Sequence, residues 1–401
     1  MGGVTAAFQN WPERTLGHAL VQRGHVVSNV AYYDPTHPAL RTMNETIDGI
    51  MVRRAPIRHA PNGLLRRALD QVGPVDIMHL FHPRNVFAYG ATRWAMQHGI
   101  PTVYTWIGPF HDRYLIDDRE RPYSERPKYE RLIWRRSDIL RRTLCDGRLR
   151  DHLRNYWLHW PLRQAQALLP CSEHEATIMR AMGLRQSMTV LPLWIETTAM
   201  QTLPASPAPD RDATERPPTL LFIGQLTPRK GYDLLVRALP QVVERYPTAI
   251  VQIVSGLNTA DREAMEAMAG EAGVAERIEF LGRVDDARLV ELFRDADMYV
   301  TPTRYEGFGL TLLEAMAAGC PVVSTAIPVV DEIIEHGQNG WLTPYDDPDG
   351  LAQGILRLLD DPALRRRLAT AGARTVKEQF DGSKIVRQFE QVYEQVVAGH
   401  A

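Results

Sequence analysis

The sequence predicts an α/β protein with two Rossmann-like domains, and three observations support this. A chain of 401 residues is too long for one ordinary hydrophobic core. Strand-like and helix-like segments alternate along most of it, which is typical of βαβ units on parallel sheets. A proline-rich stretch, 203–218, interrupts the alternation, and proline this dense stiffens a linker and disfavours helix and sheet. We therefore place the domain boundary there.

The N-terminal domain, 1–202, begins with a helix over 14–23. Gly24 follows it where a C-cap glycine would end the helix. Short apolar strands separated by turns come next, at 25–33, 75–81, 102–105, 168–171 and 188–193.

The C-terminal domain, 219–380, repeats the alternation with more regular signals. Its strands are predicted at 220–224, 249–255, 278–281, 298–301 and 322–324, and its helices at 231–246, 260–271, 310–318, 351–359 and 363–380. The remaining segment, 381–401, forms a last helix, which we expect to pack back on the N-terminal domain.

Composition fits a globular protein and disfavours several function classes. The formal net charge is −2, so no global positive field favours nucleic acid. The apolar runs are far shorter than the ~20 residues that span a bilayer, and no signal peptide is expected. The three cysteines, Cys145, Cys171 and Cys320, have no CxxC spacing. This disfavours a disulfide framework or a zinc site and fits the cytoplasm.

Positive charge is concentrated in 119–163, which holds 13 Lys/Arg against 6 Asp/Glu and includes Trp134, Trp157 and Trp160. One interpretation is a solvated helical face with aromatic side chains packed beneath it. The other is contact with an anionic membrane surface or a lipid-linked acceptor.

Two cations end a loop in the C-terminal half. A strand at 220–224 is followed by Gln225, then by Arg229 and Lys230 at the start of a helix. A loop between the carboxyl end of a strand and a helix N-terminus offers free N–H groups, and two cations there suit a diphosphate. A solvent-exposed basic turn is the alternative.

The segment Tyr305-Glu-Gly-Phe-Gly-Leu-Thr-Leu-Leu-Glu carries two carboxylates. Glu306 ends a strand, and a glycine loop leads into a helix at 310–318, where Glu314 is the only charged residue. The other residues are mostly apolar, so we expect this helix to be buried almost all round and Glu314 to bind a ligand's hydroxyl pair. The alternative is a salt bridge for Glu314 and a helix cap for Glu306.

These motifs resemble the family-4 retaining glycosyltransferases, which have the GT-B fold of two Rossmann-like domains facing across a cleft. The family's paired glutamates with seven residues between them match Glu306 and Glu314. Its Gly-Arg-x(n)-Lys-Gly loop is matched in part by Gly224 and Lys230-Gly231. The resemblance covers most of the chain and is strongest from 220 to 344.

The resemblance implies a role for each matching position. Glu314 accepts hydrogen bonds from the ribose, Glu306 contacts the donor sugar, and Lys230 with Arg229 neutralises the leaving diphosphate. It also assigns donor contacts to Gly224, Gln225, Arg283, Val284, Phe308, Gly309, Leu310 and Thr311. No cofactor and no metal are implied, since protein cations balance the diphosphate. The aspartates at 285–286 and 346–349 are interpreted as helix caps.

Three departures from the family pattern stand out. Gln225 replaces an arginine. Ile107 replaces a histidine, for which His111 is the candidate substitute on the acceptor side. Gly2-Gly3 resembles the loop after the family's first strand, so that strand is expected to be missing.

The sequence therefore predicts a retaining glycosyltransferase. It would move a sugar from a nucleotide-diphosphate sugar to a glycan, lipid-linked or small-molecule hydroxyl acceptor held by the first domain. The expected role is envelope or surface glycan assembly. Two alternatives stay open: a non-catalytic nucleotide-sugar-binding protein, and a nucleotide-sugar epimerase on the same fold. The expected location is the cytoplasm, with peripheral contact at the inner face of the membrane through 119–163.

Overall fold

The computed structural model describes residues 11–34, 40–55, 63–81, 86–106, 135–196, 216–256 and 259–400. These residues fall into two compact units. The N-terminal unit contains the described residues up to 194 together with 382–400, and the C-terminal unit contains those from 195 to 381. The predicted missing first strand concerns residues 1–10, which lie outside the described residues.

The N-terminal unit contains short strands and eight described helices, the last of which comes from the end of the chain. The strands are β1 (Ser28–Tyr32), β2 (Asn44–Ile47), β3 (Ile50–Ala55), β4 (Met78–Phe81), β5 (Thr102–Trp106), β6 (Ala167–Pro170) and β7 (Ser187–Met188). The first seven helices are α1 (Pro12–Gln22), α2 (Gly63–Asp70), α3 (Val86–Gln97), α4 (Arg136–Asp146), α5 (Leu149–Leu158), α6 (Trp160–Gln164) and α7 (Glu173–Ala181).

Two sheets organise this unit. Strands β4-β5-β6-β7 form a parallel sheet, and β1-β3-β2 form a second sheet in which β2 and β3 are antiparallel. The β2–β3 hairpin is absent from the sequence prediction. Its turn is Asp48-Gly49, where both residues have positive φ, 51° and 81°, as a two-residue hairpin loop requires.

The C-terminal unit contains one sheet and flanking helices. The strands are β8 (Thr219–Ile223), β9 (Ile250–Val254), β10 (Ile278–Gly282), β11 (Met298–Thr301), β12 (Val322–Thr325) and β13 (Trp341–Thr343). The helices are α8 (Tyr232–Arg245), α9 (Thr259–Glu271), α10 (Asp286–Asp295), α11 (Leu310–Ala317), α12 (Pro328–Asp331), α13 (Pro348–Asp360) and α14 (Pro362–Gln379).

The strand order of this sheet is β10-β9-β8-β11-β12-β13, and every pair is parallel. The chain runs outward from β8 to β10 in one direction and then continues from β11 to β13 in the other. The order therefore reverses between β8 and β11. Ligands of open α/β sheets bind at the carboxyl ends of the strands beside such a switch point.

The core of the C-terminal unit lies between the sheet and its helices. Helix α8 shows why these helices form, since it buries residues such as Leu235, Leu239 and Val242 along one face and exposes Arg237 and Glu244. Of the helices described, none is both long and apolar enough to cross a membrane.

The last helix, α15 (Gly382–Ala398), belongs to the N-terminal unit. Its Ile385 and Phe389 are buried in one core with Leu16 of α1 and Val103 of β5. Where α15 begins, a Cβ on residue 382 would lie 2.3 Å from Nε1 of Trp194, so the close approach of the indole requires glycine.

Candidate functional site

The first loop of the site follows β8 and ends in two cations. Pro228–Lys230 form a single 3₁₀ turn, which Gly231 ends in the left-handed conformation with φ 72°. The Lys230 methylenes run across Gly224, where a Cβ would lie 3.4 Å from Cδ of Lys230. Gln225, which stands at the family's arginine position, is exposed on the same loop.

The second loop follows β11 and is joined tightly to the first. A Cβ on Gly231 would lie 1.8 Å from the Pro302 carbonyl oxygen, so only glycine permits this approach. The Arg229 carbonyl oxygen accepts hydrogen bonds from the Arg304 N–H at 2.8 Å and from the Thr303 hydroxyl at 3.1 Å. The backbones of the two loops are therefore held together at the switch point.

Arg304 strengthens this junction, although the sequence prediction gave it no role. Its guanidinium donates two hydrogen bonds to Asp233 at 2.7 and 2.8 Å, and its Nε donates to Asp346 at 2.7 Å. Burial lowers the pKa of Arg304, but the two carboxylates outweigh this effect and raise it. A signal for this role was available in the sequence: Asp233, the partner of Arg304, lies three residues after Lys230 in the first motif.

Lys230, Arg229 and Glu306 form a compact charged cluster. Nζ of Lys230 lies 2.5 Å from Oε1 of Glu306, and Nη1 of Arg229 lies 3.8 Å from Oε2. Arg229 also donates to the Tyr305 carbonyl oxygen at 3.0 Å. Two cations and one carboxylate leave a local excess of one positive charge, which suits an anionic ligand.

Glu306 is ionised in this environment, and only 13% of its side chain is exposed. Burial raises the pKa of Glu306, but the charges of Lys230 and Arg229 outweigh this effect and hold the pKa below its ordinary value. The hydrogen bond from Lys230 favours the charged form further. A charged carboxylate of this kind is a strong acceptor for ligand hydroxyl groups.

The N-terminus of α11 lies directly after Glu306. Gly309 is its N-cap, with φ 99°, and no side chain caps the helix. The alternative in which Glu306 caps this helix is therefore wrong. Phe308 turns its ring into the protein, where it meets Phe380 edge-on at 6.0 Å. Leu310 and Thr311 are part-exposed in the first turn, and their N–H groups precede the first backbone hydrogen bonds of the helix, which Leu312 and Leu313 donate to Gly309.

The surroundings of Glu314 differ from the prediction of a helix buried almost all round. Leu312, Leu313, Ala315 and Met316 are buried, whereas Glu314 is part-exposed. Residues 310, 311, 317 and 318 are part-exposed as well. They lie three or four positions from Glu314 and therefore share its face. Glu314 thus lies on an accessible stripe of α11, where ionisation costs less than in a closed core.

The buried hydroxyl of Tyr299, on β11, reports on both carboxylates. Burial raises the pKa of Tyr299, and the negative charges of Glu306 and Glu314 raise it further. Both glutamates therefore lie within electrostatic range of the same strand.

The outer part of the candidate site is the loop after β10. Arg283 is exposed and Val284 is half-buried. A Cβ on Gly256, in the loop after β9, would lie 3.1 Å from Nε of Arg283, so the guanidinium lies over the neighbouring loop. These residues follow β10, which is two strands away from β8, and lie on the side of the sheet where the carboxyl ends of the strands meet.

The aspartates that resemble metal ligands have other partners. Asp285 caps α10 by accepting from the Arg288 N–H, and Asp347 caps α13 by accepting from the N–H groups of residues 349 and 350. The interpretation of these two residues as helix caps is confirmed, whereas Asp346 binds Arg304.

Two predicted features of the N-terminal domain lie outside the described residues. His111 and Ile107 fall within 107–134, as does the first part of the basic segment 119–163. Their predicted roles on the acceptor side stay predictions.

The sequence comparisons identify glycosyltransferase domains in both halves of the chain. The model of the family described as glycosyl transferases group 1 matches residues 208–375. The model of the glycosyl transferase 4-like domain matches residues 14–194.

Two curated relatives illustrate the similarity. A phosphatidyl-myo-inositol mannosyltransferase of Mycobacterium tuberculosis is 40% identical over 190 residues, which are 46% of this chain and 48% of that protein. An uncharacterized glycosyltransferase of Methanocaldococcus jannaschii is 37% identical over 175 residues, 43% of this chain and 44% of that protein. The chain spans about half the length of the curated relatives it matches.

Solved structures show the fold. The sucrose-phosphate synthase of Thermosynechococcus elongatus has a TM-score of 0.71 at 22% identity, over 96% of this chain and 92% of that one. HepE of Anabaena, in complex with UDP-glucose, has a TM-score of 0.65 at 19% identity, over 87% of each chain. These likenesses confirm the predicted GT-B class with two Rossmann-like domains.

Proposed function

Since the chain belongs to the GT4-like glycosyltransferases of the GT-B fold, we propose that it transfers a sugar from a nucleotide-diphosphate sugar to a hydroxyl acceptor. The observation that carries this proposal is the cluster of Lys230, Arg229 and Glu306 beside the switch point. The mannosyltransferase relative and the UDP-glucose complex of HepE support a donor of this class.

In the proposed complex the donor diphosphate lies between the first turn of α11 and the two cations. Helix N–H groups and positive side chains both favour a phosphate there. Glu306 accepts from hydroxyls of the donor sugar, and Glu314, on the accessible stripe of α11, accepts from the ribose. The base lies beside Arg283 and Val284.

We propose that the transfer retains the anomeric configuration. The acceptor oxygen forms a bond to the anomeric carbon on the face from which the diphosphate leaves, and the bond from that carbon to the phosphate oxygen breaks. The acceptor proton passes to the leaving phosphate. Negative charge grows on that phosphate, so Lys230 and Arg229 bind the transition state more strongly than the donor.

The proposed reaction needs no metal ion. Lys230 and Arg229 supply the positive charge, and two of the aspartates that could be taken for metal ligands serve as helix caps. We expect turnover to be unchanged after treatment with EDTA.

We place the proposed enzyme in the cytoplasm at the inner face of the membrane, in envelope or surface glycan assembly. The support is the basic excess in 119–163 and the lipid named in the mycobacterial relative, a phosphatidyl-inositol. A glycan or lipid-linked hydroxyl is the acceptor class that fits this location.

A thermal-shift screen with UDP-, GDP-, ADP- and TDP-sugars tests donor binding. A ligand at 100 times its dissociation constant stabilises the folded state by about 2.7 kcal/mol. The stabilising donor is then incubated with candidate acceptors, release of nucleotide diphosphate is followed, and NMR determines the anomeric configuration of the product.

The results separate the three candidate functions. Transfer with retention supports the proposal. Binding of the nucleotide diphosphate without any turnover identifies a non-catalytic binding protein, and release of free sugar without an acceptor favours an epimerase. Stabilisation by none of the donors would refute the nucleotide-sugar site itself.

A further inference from the structure

Helices α4 and α5 form a hairpin that presents apolar side chains to solvent. Gly147, in the left-handed conformation, ends α4 and leads into the turn. Nine large apolar side chains of the described residues are exposed, and five of them lie on this hairpin: Leu140, Leu144, Leu149, Leu153 and Trp157. Leu144 is 79% exposed and Leu140 is 64% exposed. Concentration of this kind marks an interaction surface, whereas scattered exposed apolar residues do not.

The five side chains form one surface, which we call the hairpin face. Leu140 and Leu144 are four residues apart on α4, and the three on α5 follow the same spacing, so each helix carries one apolar stripe. The guanidinium of Arg136, four residues before Leu140, lies 5.6 Å from the ring of Trp157. The two antiparallel stripes therefore run along the same side of the hairpin.

Arginine surrounds the hairpin face. Residues 135–158 contain seven arginines against three aspartates, in a chain whose formal net charge is −2. Arg136, Arg141 and Arg150 are exposed. Asp151 is bound by Arg148 at 3.0 Å, so one of the three negative charges is compensated locally.

Aromatic side chains adjoin Trp157 at one end of the face. Its ring lies 5.2 Å from that of Tyr156 and 5.9 Å from that of Tyr89, and Trp160 meets Tyr89 at 4.9 Å. Tryptophan and tyrosine are typical of the level of lipid headgroups, because their rings are apolar and their N–H or O–H groups are polar.

We infer that the hairpin face docks on an anionic lipid surface. The leucines and Trp157 then lie at the boundary between headgroups and acyl chains, and the arginines lie at the phosphate groups. Basic helices with an apolar face bind membranes in this orientation. A second copy of the chain fits less well, since it would present the same positive charge to the first. The hairpin face is thus the surface that makes the membrane contact of the proposed function, and lipid binding by this face does not depend on donor chemistry.

The test is co-sedimentation of the full chain with vesicles of phosphatidylcholine alone or of phosphatidylcholine mixed with the anionic lipid phosphatidylglycerol. We expect binding to the anionic vesicles only, and less of it at 1 M salt, because the Debye length falls from about 10 Å at 0.1 M to about 3 Å at 1 M.

Two double variants separate the contributions of apolar contact and charge. Leu144→Ser/Leu153→Ser is expected to weaken vesicle binding at least tenfold. Arg141→Gln/Arg150→Gln is expected to weaken it by roughly tenfold to thirtyfold at low salt, with little change at high salt.

Matched controls lie in the same unit, outside the two helices of the hairpin. Val26→Ser/Leu64→Ser replaces two exposed apolar residues, and Arg180→Gln/Arg185→Gln removes the same charge from exposed positions. Both are expected to bind vesicles like the unmodified chain.

Three results would overturn the inference: no binding to anionic vesicles at low salt, equal loss in the controls, or loss of a dimer with unchanged lipid binding in the leucine variant. Stabilisation by nucleotide diphosphates is measured in parallel on each variant. Loss of that response in every protein would refute the proposed donor site and leave the result for lipid binding intact.

Discussion

Replacing Lys230 by methionine removes the positive charge nearest to Glu306 and keeps the length of the side chain. Removing one partner of a buried ion pair costs about 3–5 kcal/mol. Glu306 keeps 13% of its side chain exposed and still has Arg229 at 3.8 Å, so we expect a cost of about 2 kcal/mol. In a domain of this size each kcal/mol lowers Tm by about 2–4 °C. The expected decrease is therefore about 4–8 °C.

This decrease depends on pH in a defined direction. The pKa of Glu306 is lowered in the folded protein, so the pair stabilises the fold above the ordinary carboxyl pKa of about 4.3. That stabilisation is lost as pH falls through the folded-state pKa. The Tm difference between Lys230→Met and the unmodified chain is therefore full at neutral pH and disappears in acid, where Glu306 is protonated in both proteins.

Scanning calorimetry across this pH range measures the difference, with Lys377→Met as the control. Lys377 is exposed on α14 of the same unit, and its replacement is expected to leave Tm almost unchanged. A Tm difference that stays constant down to acid pH would refute the ion-pair reasoning. Turnover is expected to fall by roughly 10²–10³-fold, and an active Arg229→Met/Lys230→Met double variant would refute the diphosphate role of both cations.

Three further predictions follow from other parts of the fold. Glu314→Gln is expected to weaken binding of the nucleotide diphosphate by about 1.5–3 kcal/mol, and unchanged affinity in titration calorimetry would remove its ribose role. Gly231→Ala is expected to lower the free energy of unfolding by about 2 kcal/mol or more, because φ is positive there and the new methyl group would overlap the Pro302 carbonyl. Urea denaturation measures this change. The control Gly270→Ala lies in open space within α9 and is expected to be neutral or stabilising. Phe389→Ala is expected to destabilise the N-terminal unit by about 3–5 kcal/mol, and a cost below about 1 kcal/mol would show that α15 contributes little to its core.

The sequence prediction was most accurate where local pattern decides the structure. Strand β11 was predicted at its observed bounds, 298–301, because a short apolar run between polar turns fits few alternatives. The β2–β3 hairpin was missed although Asp48-Gly49 is a hairpin signal. Strand β2 has the sequence Asn-Glu-Thr-Ile and is largely exposed, so its hydrophobic pattern is weak.

The sequence predicted which residues belong to the site but not which of them contact each other. Lys230 and Glu306 are 76 positions apart, and only the order of β8 and β11 in the sheet brings them together. That order depends on long-range pairing, which local pattern does not specify. The error at Glu314 has a different cause, since an apolar composition was taken to mean burial on every side, whereas the helical period leaves one stripe of α11 accessible.

The position of α15 has a consequence for the order in which the protein is completed during synthesis. The core of the N-terminal unit includes Ile385 and Phe389, which are translated only after the whole of 195–381. At about 5–20 residues per second, that interval is on the order of ten to forty seconds. During this interval Leu16, Val103 and Leu169 lack their final cover. Every strand of the C-terminal sheet has been translated by residue 343, before α15 is made. The half of the chain that is made first is therefore the half whose core receives its last residues at the end of synthesis.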